Sequence, residues 1–264
     1  MNILITGSTD GIGKLAAAKL ATDGHTIYIH GRSEEKVSAT VAELRQVTGN
    51  ESVHGFTADL SDLAVIRDFA EKIMEKITTL DILINNAGVL KAPVTKTPTG
   101  IDLRFVVNYF APYVLTNALL PLLKQSEQSR VINLSSAAQS PVDLAALRGE
   151  SDLSDFDAYA QSKLALTMWN FTLAAAEPDL SVIAVNPGSL LNTNMVREGF
   201  GQHRASADVG ADILYELATK HEGVTGKYFD NDAGDFGQAH PDAYDQAKIV
   251  ALIAATKKTI QLNS

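Results

Sequence analysis

The chain has 264 residues, of which 45% are hydrophobic and 20% are charged, a composition typical of a folded globular protein. The formal net charge of −9 disfavours nucleic acids and anionic membranes as partners, and the absence of cysteine excludes disulfides, a thiol nucleophile and cysteine metal sites. No basic segment followed by an apolar run marks a signal peptide at the N-terminus, and we expect a cytoplasmic protein.

Strand and helix patterns alternate along the chain. Short apolar runs predict strands at residues 1–6, 25–30, 52–57, 80–85, 130–135, 180–186 and 227–230. Apolar residues at helical spacing predict helices at residues 12–23, 33–48, 61–77, 101–123, 155–176 and 205–220. This alternation predicts βαβ units in a doubly wound, Rossmann-type α/β fold. We expect one domain over residues 1–264, with substrate loops at 137–158 and 188–210.

A glycine-rich segment joins the first predicted strand to the first predicted helix. Glycines permit a tight turn and let the backbone approach a pyrophosphate, which a helix N-terminus attracts through its unpaired N–H groups and its dipole. An ordinary strand–helix turn with incidental glycines is the alternative interpretation. The candidate cofactor-binding residues of this turn are Gly7, Ser8, Thr9, Asp10, Gly11, Ile12 and Gly13.

The second predicted strand ends at His30, and Gly31, Arg32 and Ser33 follow it. An acidic side chain in this region accepts hydrogen bonds from the adenosine ribose of NAD, whereas a guanidinium suits the 2′-phosphate of NADP. Arg32 therefore favours NADP over NAD. A solvated surface arginine is the alternative interpretation of this residue.

A second group of polar residues is expected at the carboxyl edge of the sheet. Tyr159 and Lys163 are four residues apart in a predicted helix and share one face of it. A lysine ammonium beside a phenol lowers the phenol's pKa, which would make Tyr159 an acid/base near neutral pH. Ser135 and Ser136 end one predicted strand and residues 85–88 follow another, so both segments face the ligand crevice. Two unrelated surface side chains are the alternative interpretation of the tyrosine–lysine pair.

Asn108 lies in an apolar predicted helix, between Val107 and Tyr109. A buried amide there needs a hydrogen-bond partner. Two interpretations stay open: a satisfied core amide, or a link to Lys163 through water.

Together these motifs resemble the short-chain dehydrogenase/reductase family, in its single-domain branch. They occur in family order and cover residues 1–230 of the chain. The matching residues are Thr6 to Gly13, Asp59, Asn85-Asn86-Ala87-Gly88, Asn108, Ser136, Tyr159-Ala160-Gln161-Ser162-Lys163 and Asn186-Pro187-Gly188. The resemblance implies a seven-stranded parallel sheet, a nicotinamide cofactor and interconversion of a carbonyl and an alcohol.

The same resemblance implies roles for individual residues. Tyr159 would be the acid/base, and Lys163 would hold the nicotinamide ribose and tune the tyrosine. Ser136 would donate a hydrogen bond to the substrate oxygen, and Asn108 would support a proton relay through water. Tyr159 and Lys163 are also implied to bind the cofactor, and the other implied cofactor-binding residues are Asp59, Leu60, Asn86, Ala87, Gly88, Pro187, Gly188 and Thr193.

Two features depart from the common family pattern. The interval from Ser136 to Tyr159 is longer than usual, and retinol-dehydrogenase-like members resemble the chain in carrying acidic residues and an aromatic residue there. The family threonine after Pro-Gly is displaced by one residue, so that Asn192 takes its usual offset and Thr193 follows. Which of the two contacts the nicotinamide is left open. Many retinoid enzymes are membrane-bound, whereas for this protein we expect no membrane anchor before the first strand.

We expect an NADP(H)-dependent oxidoreductase with a small-molecule carbonyl or alcohol substrate and no nucleic-acid, membrane or metal partner. A catalytically silent dinucleotide-binding sensor or scaffold is the alternative, which an intact set of Ser136, Tyr159 and Lys163 disfavours. A sugar-nucleotide epimerase or dehydratase is a third possibility, although such enzymes usually have a larger C-terminal domain. The apolar surfaces of helices 101–123 and 155–176 predict a homodimer or homotetramer.

Overall fold

The computed structural model describes residues 1–263; residue 264 and the side chain of Phe200 lie outside the described residues. The strands are β1 (Asn2–Ile5), β2 (Thr26–Gly31), β3 (Val53–Thr57), β4 (Ile82–Asn85), β5 (Arg130–Leu134), β6 (Ser181–Asn186), β7 (Lys227–Asp230) and β8 (Asp235–Gly237). They form one sheet in the order β3-β2-β1-β4-β5-β6-β7-β8. The expected doubly wound α/β fold is therefore confirmed.

The sheet has eight strands, one more than the seven parallel strands that we expected. β8 pairs with β7 in the antiparallel direction, as the second arm of a hairpin. The turn between the two arms contains Gly234 at φ +76°, in the left-handed region that favours glycine. A strand of three residues is too short to show an apolar run or an alternating pattern, which explains why the sequence does not reveal it.

Ten α-helices connect or flank the strands within residues 1–263. They are α1 (Gly11–Thr22), α2 (Glu34–Thr48), α3 (Leu63–Lys76), α4 (Leu103–Phe105), α5 (Ala111–Leu123), α6 (Leu144–Leu147), α7 (Asp155–Ala176), α8 (Asn194–Phe200), α9 (Ala207–Thr219) and α10 (Gln246–Leu262). A π-helical turn, Val106–Phe110, joins α4 to α5, and a 3₁₀ turn, Pro241–Tyr244, precedes α10. α6, α8 and α10 were not predicted from the sequence, and two of them lie in the expected substrate loops.

Two hydrophobic clusters cover the two faces of the sheet. Ile3 and Ile5 of β1 belong to the cluster that includes α1 and α9, whereas Leu4 belongs to the cluster that includes α3, α5 and α7. This division follows from the period of two along a strand, which turns successive side chains to opposite faces. Because both faces are covered, the central strands β4 and β5 are buried throughout, as expected for parallel strands.

The C-terminal helix α10 packs on the helices that we expected to form an oligomer interface. The hydroxyl groups of Tyr109 and Thr256 share a buried hydrogen bond of 2.8 Å across this contact. Trp169 of α7 is 2% exposed and Leu115 of α5 is 1% exposed within the single chain. The apolar surface is therefore largely used within the molecule. The homodimer or homotetramer loses this support and stays a prediction.

One helical run, Leu103–Leu123, is long and apolar enough to cross a membrane by length and composition alone. In the fold, 67% of its most apolar window is buried. Phe105, Tyr109, Leu115 and Leu119 from this run belong to the hydrophobic cluster against the sheet. Packing in the core accounts for the apolar character of the run.

Candidate active site

The glycine-rich turn between β1 and α1 is braced by the segment that follows β4. The side-chain amide of Asn86 donates hydrogen bonds to the carbonyls of Thr6 at 2.8 Å and of Gly7 at 2.9 Å. In return, the Thr6 hydroxyl accepts from the backbone N–H groups of Asn86 at 3.1 Å and Ala87 at 3.0 Å. These four bonds hold the turn against the neighbouring strand end.

Two glycines leave room at this turn that no other residue would leave. A Cβ placed on Gly7 would lie 2.8 Å from the Cα of Ala87, and a Cβ placed on Gly13 would lie 2.4 Å from the amide nitrogen of Asn86. Gly7 also adopts φ +63°, in the left-handed region. The first turn of α1 adds N–H groups without intrahelical partners and the positive end of the helix dipole. The cradle therefore fits the pyrophosphate of a dinucleotide.

Asp10 and Ser8 form bonds within the protein. The Asp10 carboxylate caps α1 by accepting from the Gly11 N–H at 2.7 Å, and it also accepts from the side-chain amide of Asn194 in α8. The buried Ser8 hydroxyl donates to the Ile5 carbonyl at 2.7 Å. Both side chains therefore shape the cradle through its own structure.

Arg32, Asp59 and Leu60 follow the carboxyl ends of β2 and β3. Arg32 is exposed next to Gly31, and a Cβ placed on Gly31 would lie 2.6 Å from the Cγ2 of Thr9, so the arginine adjoins the glycine-rich turn. Asp59 is exposed and its carboxylate accepts from a backbone N–H in the following turn, whereas Leu60 is buried. An exposed guanidinium beside the cradle is suited to bind a phosphate.

Tyr159 of α7 and Ser136 after β5 meet at the carboxyl edge of the sheet. A hydrogen bond between their side chains lowers the pKa of Tyr159, but the desolvation that accompanies burial is the larger effect and raises that pKa above its ordinary value. At neutral pH the phenol therefore holds its proton, and the lowered pKa expected from the neighbouring lysine is not found. The pair presents two hydroxyl groups side by side.

Lys163 lies one helical turn after Tyr159 on the same face of α7. Its ammonium donates to the Leu134 carbonyl at 2.6 Å, and its Nζ lies 5.6 Å from the centre of the Tyr159 ring. Burial lowers the pKa of Lys163 to about 8. Lys163 is thus mostly protonated at pH 7, and its positive charge lies close to the phenol.

The two serines after β5 have different surroundings. Ser135 is buried, and its hydroxyl lies 2.6 Å from the hydroxyl of Thr167 in α7. The Ser136 carbonyl accepts from the Gln139 amide at 2.8 Å and from the Tyr228 hydroxyl at 3.2 Å. Ser135 therefore joins the strand to the helix, while Ser136 is held at the edge where Tyr159 lies.

Asn108 lies in the π-helical turn, a feature frequent at functional sites. Its carbonyl oxygen accepts from the Val89 N–H at 2.8 Å, and its amide donates to the Val89 carbonyl at 3.0 Å and the Ser162 hydroxyl at 2.9 Å. A Cβ placed on Gly88 would lie 3.5 Å from this carbonyl oxygen and 3.6 Å from the Nζ of Lys163. The side chain is thus a satisfied amide that joins the loop after β4 to α7, and its relay role stays a prediction.

The segment after β6 is held by the hairpin of β7 and β8. The Asn186 amide donates to the carboxylates of Asp230 at 2.8 Å and Asp232 at 2.9 Å, and its carbonyl oxygen accepts from the Gly188 N–H at 3.2 Å. Gly188 follows Pro187 and adopts φ +122°, which favours glycine. The hairpin, whose second strand was not predicted, therefore fixes a segment that we expected to contact the cofactor.

Thr193 and Asn192 point to different surroundings. Thr193 caps α8 by accepting from the Val196 N–H at 3.2 Å, and a Cβ placed on Gly11 would lie 3.6 Å from its Cγ2. Asn192 is exposed and accepts from the Arg197 guanidinium at 2.5 Å. Of the two, Thr193 adjoins the glycine-rich turn.

Sequence reasoning missed a buried ion-pair cluster around Arg104, which is 1% exposed. Its guanidinium binds both carboxylate oxygens of Asp102, at 2.9 and 2.7 Å. The same group binds the Asp155 carboxylate at 2.8 Å and the Leu90 carbonyl at 3.3 Å. Asp155 precedes Tyr159 by four residues, so the cluster ties the first turn of α7 to the loop after β4. An arginine inside an apolar helical pattern, two residues after an aspartate, was the only available signal.

Comparison with known proteins agrees with this geometry. The family model for short chain dehydrogenases matches residues 1–203. Retinol dehydrogenase 13 of Homo sapiens is 34% identical, over 86% of this chain and 75% of that protein. Polyprenol dehydrogenase of Homo sapiens is 33% identical, over 87% of this chain and 76% of that protein.

Solved structures share the fold. A protein from Mycobacterium paratuberculosis superimposes with a TM-score of 0.79 at 26% identity, over 98% of this chain and 93% of its own. A short chain dehydrogenase from Escherichia coli CFT073, solved in complex with NADPH, superimposes with a TM-score of 0.72 at 28% identity, over 87% of this chain and 95% of its own. The chain therefore belongs to the short-chain dehydrogenase/reductase family, resembles its retinol-dehydrogenase-like members, and is an NAD(P)-dependent oxidoreductase of CH–OH groups.

Proposed function

We propose that the protein interconverts a carbonyl and an alcohol with NADP(H), and that Tyr159 is the acid/base. The observation that carries this proposal is the meeting of the Tyr159 and Ser136 hydroxyls beside the Lys163 ammonium, at the edge of the sheet where the glycine-rich cradle also opens. A sensor or scaffold has no need of such a set, because it moves no proton.

The bound nicotinamide supplies a hydride to the carbonyl carbon or accepts one from the alcohol. In the reducing direction, negative charge develops on the substrate oxygen, which needs a proton and a hydrogen-bond donor already in place. Tyr159 donates the proton, and Ser136 donates the second hydrogen bond. The positive charge of Lys163 then stabilises the phenolate that remains, because a nearby cation favours the charged form of an acid.

The proposed cofactor site extends along the carboxyl edge of the sheet. The turn from Gly7 to Gly13 holds the pyrophosphate, Arg32 holds the 2′-phosphate, and Asp59 and Leu60 hold the adenine. Asn86, Ala87 and Gly88 hold the adenosine ribose, Lys163 holds the nicotinamide ribose, and Pro187, Gly188 and Thr193 hold the nicotinamide. The exposed guanidinium of Arg32 beside the cradle supports NADP, as does the NADPH complex of the similar Escherichia coli protein.

The class of substrate is proposed from the long segment between Ser136 and Tyr159 and from the names of the relatives. Val142, Leu144 and Leu153 are partly buried apolar residues of the insertion before α7. Relatives named as retinol and polyprenol dehydrogenases act on apolar alcohols, and we propose an apolar alcohol or aldehyde here.

The cytoplasmic location and the homo-oligomer stay predictions, which cell fractionation and light scattering would test.

The test is binding and turnover with both cofactors. NADPH and NADH are titrated by fluorescence, and turnover is followed by nicotinamide absorbance with retinal and a panel of aliphatic and aromatic aldehydes. Loss of the charge-assisted bonds in Arg32→Ala should weaken NADPH binding roughly ten- to hundredfold and leave NADH binding unchanged. Lys72→Ala on α3 removes an exposed cation elsewhere and controls for net charge.

Three outcomes would contradict parts of the proposal. Equal binding of NADH and NADPH by the unmodified protein would overturn the NADP assignment. Binding of a cofactor without turnover of any substrate would favour the sensor or scaffold. Turnover that survives in Tyr159→Phe would remove the tyrosine from its role.

A further inference from the structure

His30 of β2 is a buried side chain that the proposed chemistry does not use. It is 2% exposed, and its ring stacks on Phe69 of α3 with centroids 4.8 Å apart. The Gly7 N–H donates to its Nδ1 at 3.1 Å, and its Nε2 lies 3.2 Å from the Ala58 carbonyl. The imidazole therefore bridges the glycine-rich turn after β1 and the segment after β3.

The partners determine the tautomer of this ring. A backbone N–H can only donate, so Nδ1 must present its lone pair to Gly7. A carbonyl can only accept, so Nε2 must carry the hydrogen that is donated to Ala58. Burial lowers the pKa of His30 to about 4, which keeps the ring neutral and this arrangement intact at neutral pH. A protonated ring would direct a second N–H against the Gly7 N–H.

The backbone of His30 is bound to the same turn. Its N–H donates to the Ser8 hydroxyl at 3.0 Å, and its carbonyl accepts from the Ser8 N–H at 2.9 Å. One residue thus makes three bonds to Gly7 and Ser8 and one to Ala58, which directly precedes Asp59. The two ends of the ring contact the two segments that we assign to the pyrophosphate and to the adenine.

We propose that neutral His30 is a positioning residue for the dinucleotide. Its ring sets the separation between the pyrophosphate turn at Gly7 and the adenine-side segment at Ala58 and Asp59. This inference rests on the proposed cofactor function and adds to it a residue that touches the cofactor only through its neighbours.

Three substitutions separate the two ends of the ring. His30→Asn keeps an acceptor near the Nδ1 position, and His30→Gln keeps a donor near the Nε2 position. His30→Leu keeps neither, although it fills much of the volume. His54→Leu on the neighbouring β3 is the control, because that histidine is exposed and stacks on Tyr28.

NADPH dissociation constants of the folded variants are measured by fluorescence titration, with folding checked by circular dichroism. We expect His30→Leu to bind NADPH about tenfold more weakly, the effect of roughly one lost hydrogen bond on the turn. His30→Asn should bind more tightly than His30→Gln, because it preserves the bond to Gly7, and His54→Leu should match the unmodified protein. A role in stability alone would lower the melting temperature without ordering the affinities in this way.

A second measurement does not depend on any variant folding. Nitrogen-15 NMR of the unmodified protein should show His30 as the neutral tautomer with hydrogen on Nε2. Hydrogen on Nδ1, or a folded His30→Leu variant that binds NADPH as tightly as the unmodified protein, would overturn the inference. If the unmodified protein bound neither NADPH nor NADH, the proposed function would fail and this inference would fail with it.

Discussion

The two sides of the candidate active site are built from different chemistry. The cofactor cradle is held mainly by backbone groups and neutral side chains, with Asn86 bonded to Thr6 and Gly7, and His30 bonded to Gly7. The exposed Asp10 carboxylate, which caps α1, adds a charged contact. The catalytic side depends on buried charge. Lys163 lies near Tyr159, and Arg104 binds Asp155 in the first turn of α7.

This difference teaches how each side tolerates change. The cradle should be sensitive to added side-chain volume, because its backbone atoms are closely packed and cannot shift to make room. A buried ion pair is sensitive to the loss of one partner, because the remaining charge is left desolvated. Substitutions on the two sides should therefore affect different measurements, cofactor binding on one side and turnover on the other.

Tyr159→Phe should show the largest difference between the effect on turnover and the effect on cofactor binding. Losing the acid should lower kcat by about 10²–10⁴-fold, the usual contribution of a general acid. The ring and the packing of α7 remain, so the NADPH dissociation constant should stay within twofold of the unmodified value, about 0.4 kcal/mol. Steady-state kinetics and fluorescence titration measure the two quantities. An equal loss of binding and turnover would mean that the two sides are not separate.

On the cofactor side, Gly7→Ala should have the largest effect. A Cβ there would lie 2.8 Å from the Ala87 Cα, and φ is +63°. We expect a destabilisation of about 1–3 kcal/mol in urea unfolding and loss of most NADPH affinity. Gly24→Ala is the matched control, because φ is +80° but no heavy atom lies within 4 Å of its Cβ position. That control should show backbone strain of about 1 kcal/mol and normal NADPH binding.

On the catalytic side, Asp155→Asn should lower kcat about tenfold, the equivalent of roughly 1.4 kcal/mol in the barrier. The reason is that the first turn of α7, and with it Tyr159, loses its ion pair to Arg104. NADPH binding should be unchanged. Asp157→Asn removes the same charge from the same helix end without touching Arg104, and should cost only about 0.3–1 kcal/mol of stability. Equal kcat values for the two variants would show that Arg104 does not position the helix.

The last prediction concerns a pH dependence of stability on the cofactor side, which leaves turnover and cofactor binding at neutral pH unchanged. Burial lowers the pKa of His30 from 6.5 to about 4, so the unfolded chain binds a proton that the folded chain does not bind between these values. The free energy of unfolding should therefore rise with pH from 4 to 6.5 through this group, and level off above. Urea unfolding of His30→Asn at acidic and neutral pH should show a flatter dependence than the unmodified protein. Identical slopes would mean that His30 is not buried as a neutral ring.

Much of this molecule follows from local features of the sequence. Apolar runs of strand length and helical spacing predicted the alternating elements, because these periodicities arise from the geometry of each element. The glycine spacing from Gly7 to Gly13 and the pair of Tyr159 and Lys163 are also local. Both lie where the fold brings the proposed cofactor cradle and the proposed proton donor to one edge of the sheet. The resemblance to a family then joined these separate motifs into one site.

The tertiary structure alone decided the features that join distant residues. β8 turns back on β7, and Asp230 and Asp232 at the turn between them hold the segment around Gly188. α10 covers the helices that we expected to face a second subunit. Arg104 and Asp155 are 51 residues apart, and His30 contacts residues 23 and 28 positions away. No periodicity or spacing encodes such pairs, because a hydrogen bond or an ion pair depends on where the whole sheet and its helices bring two side chains together.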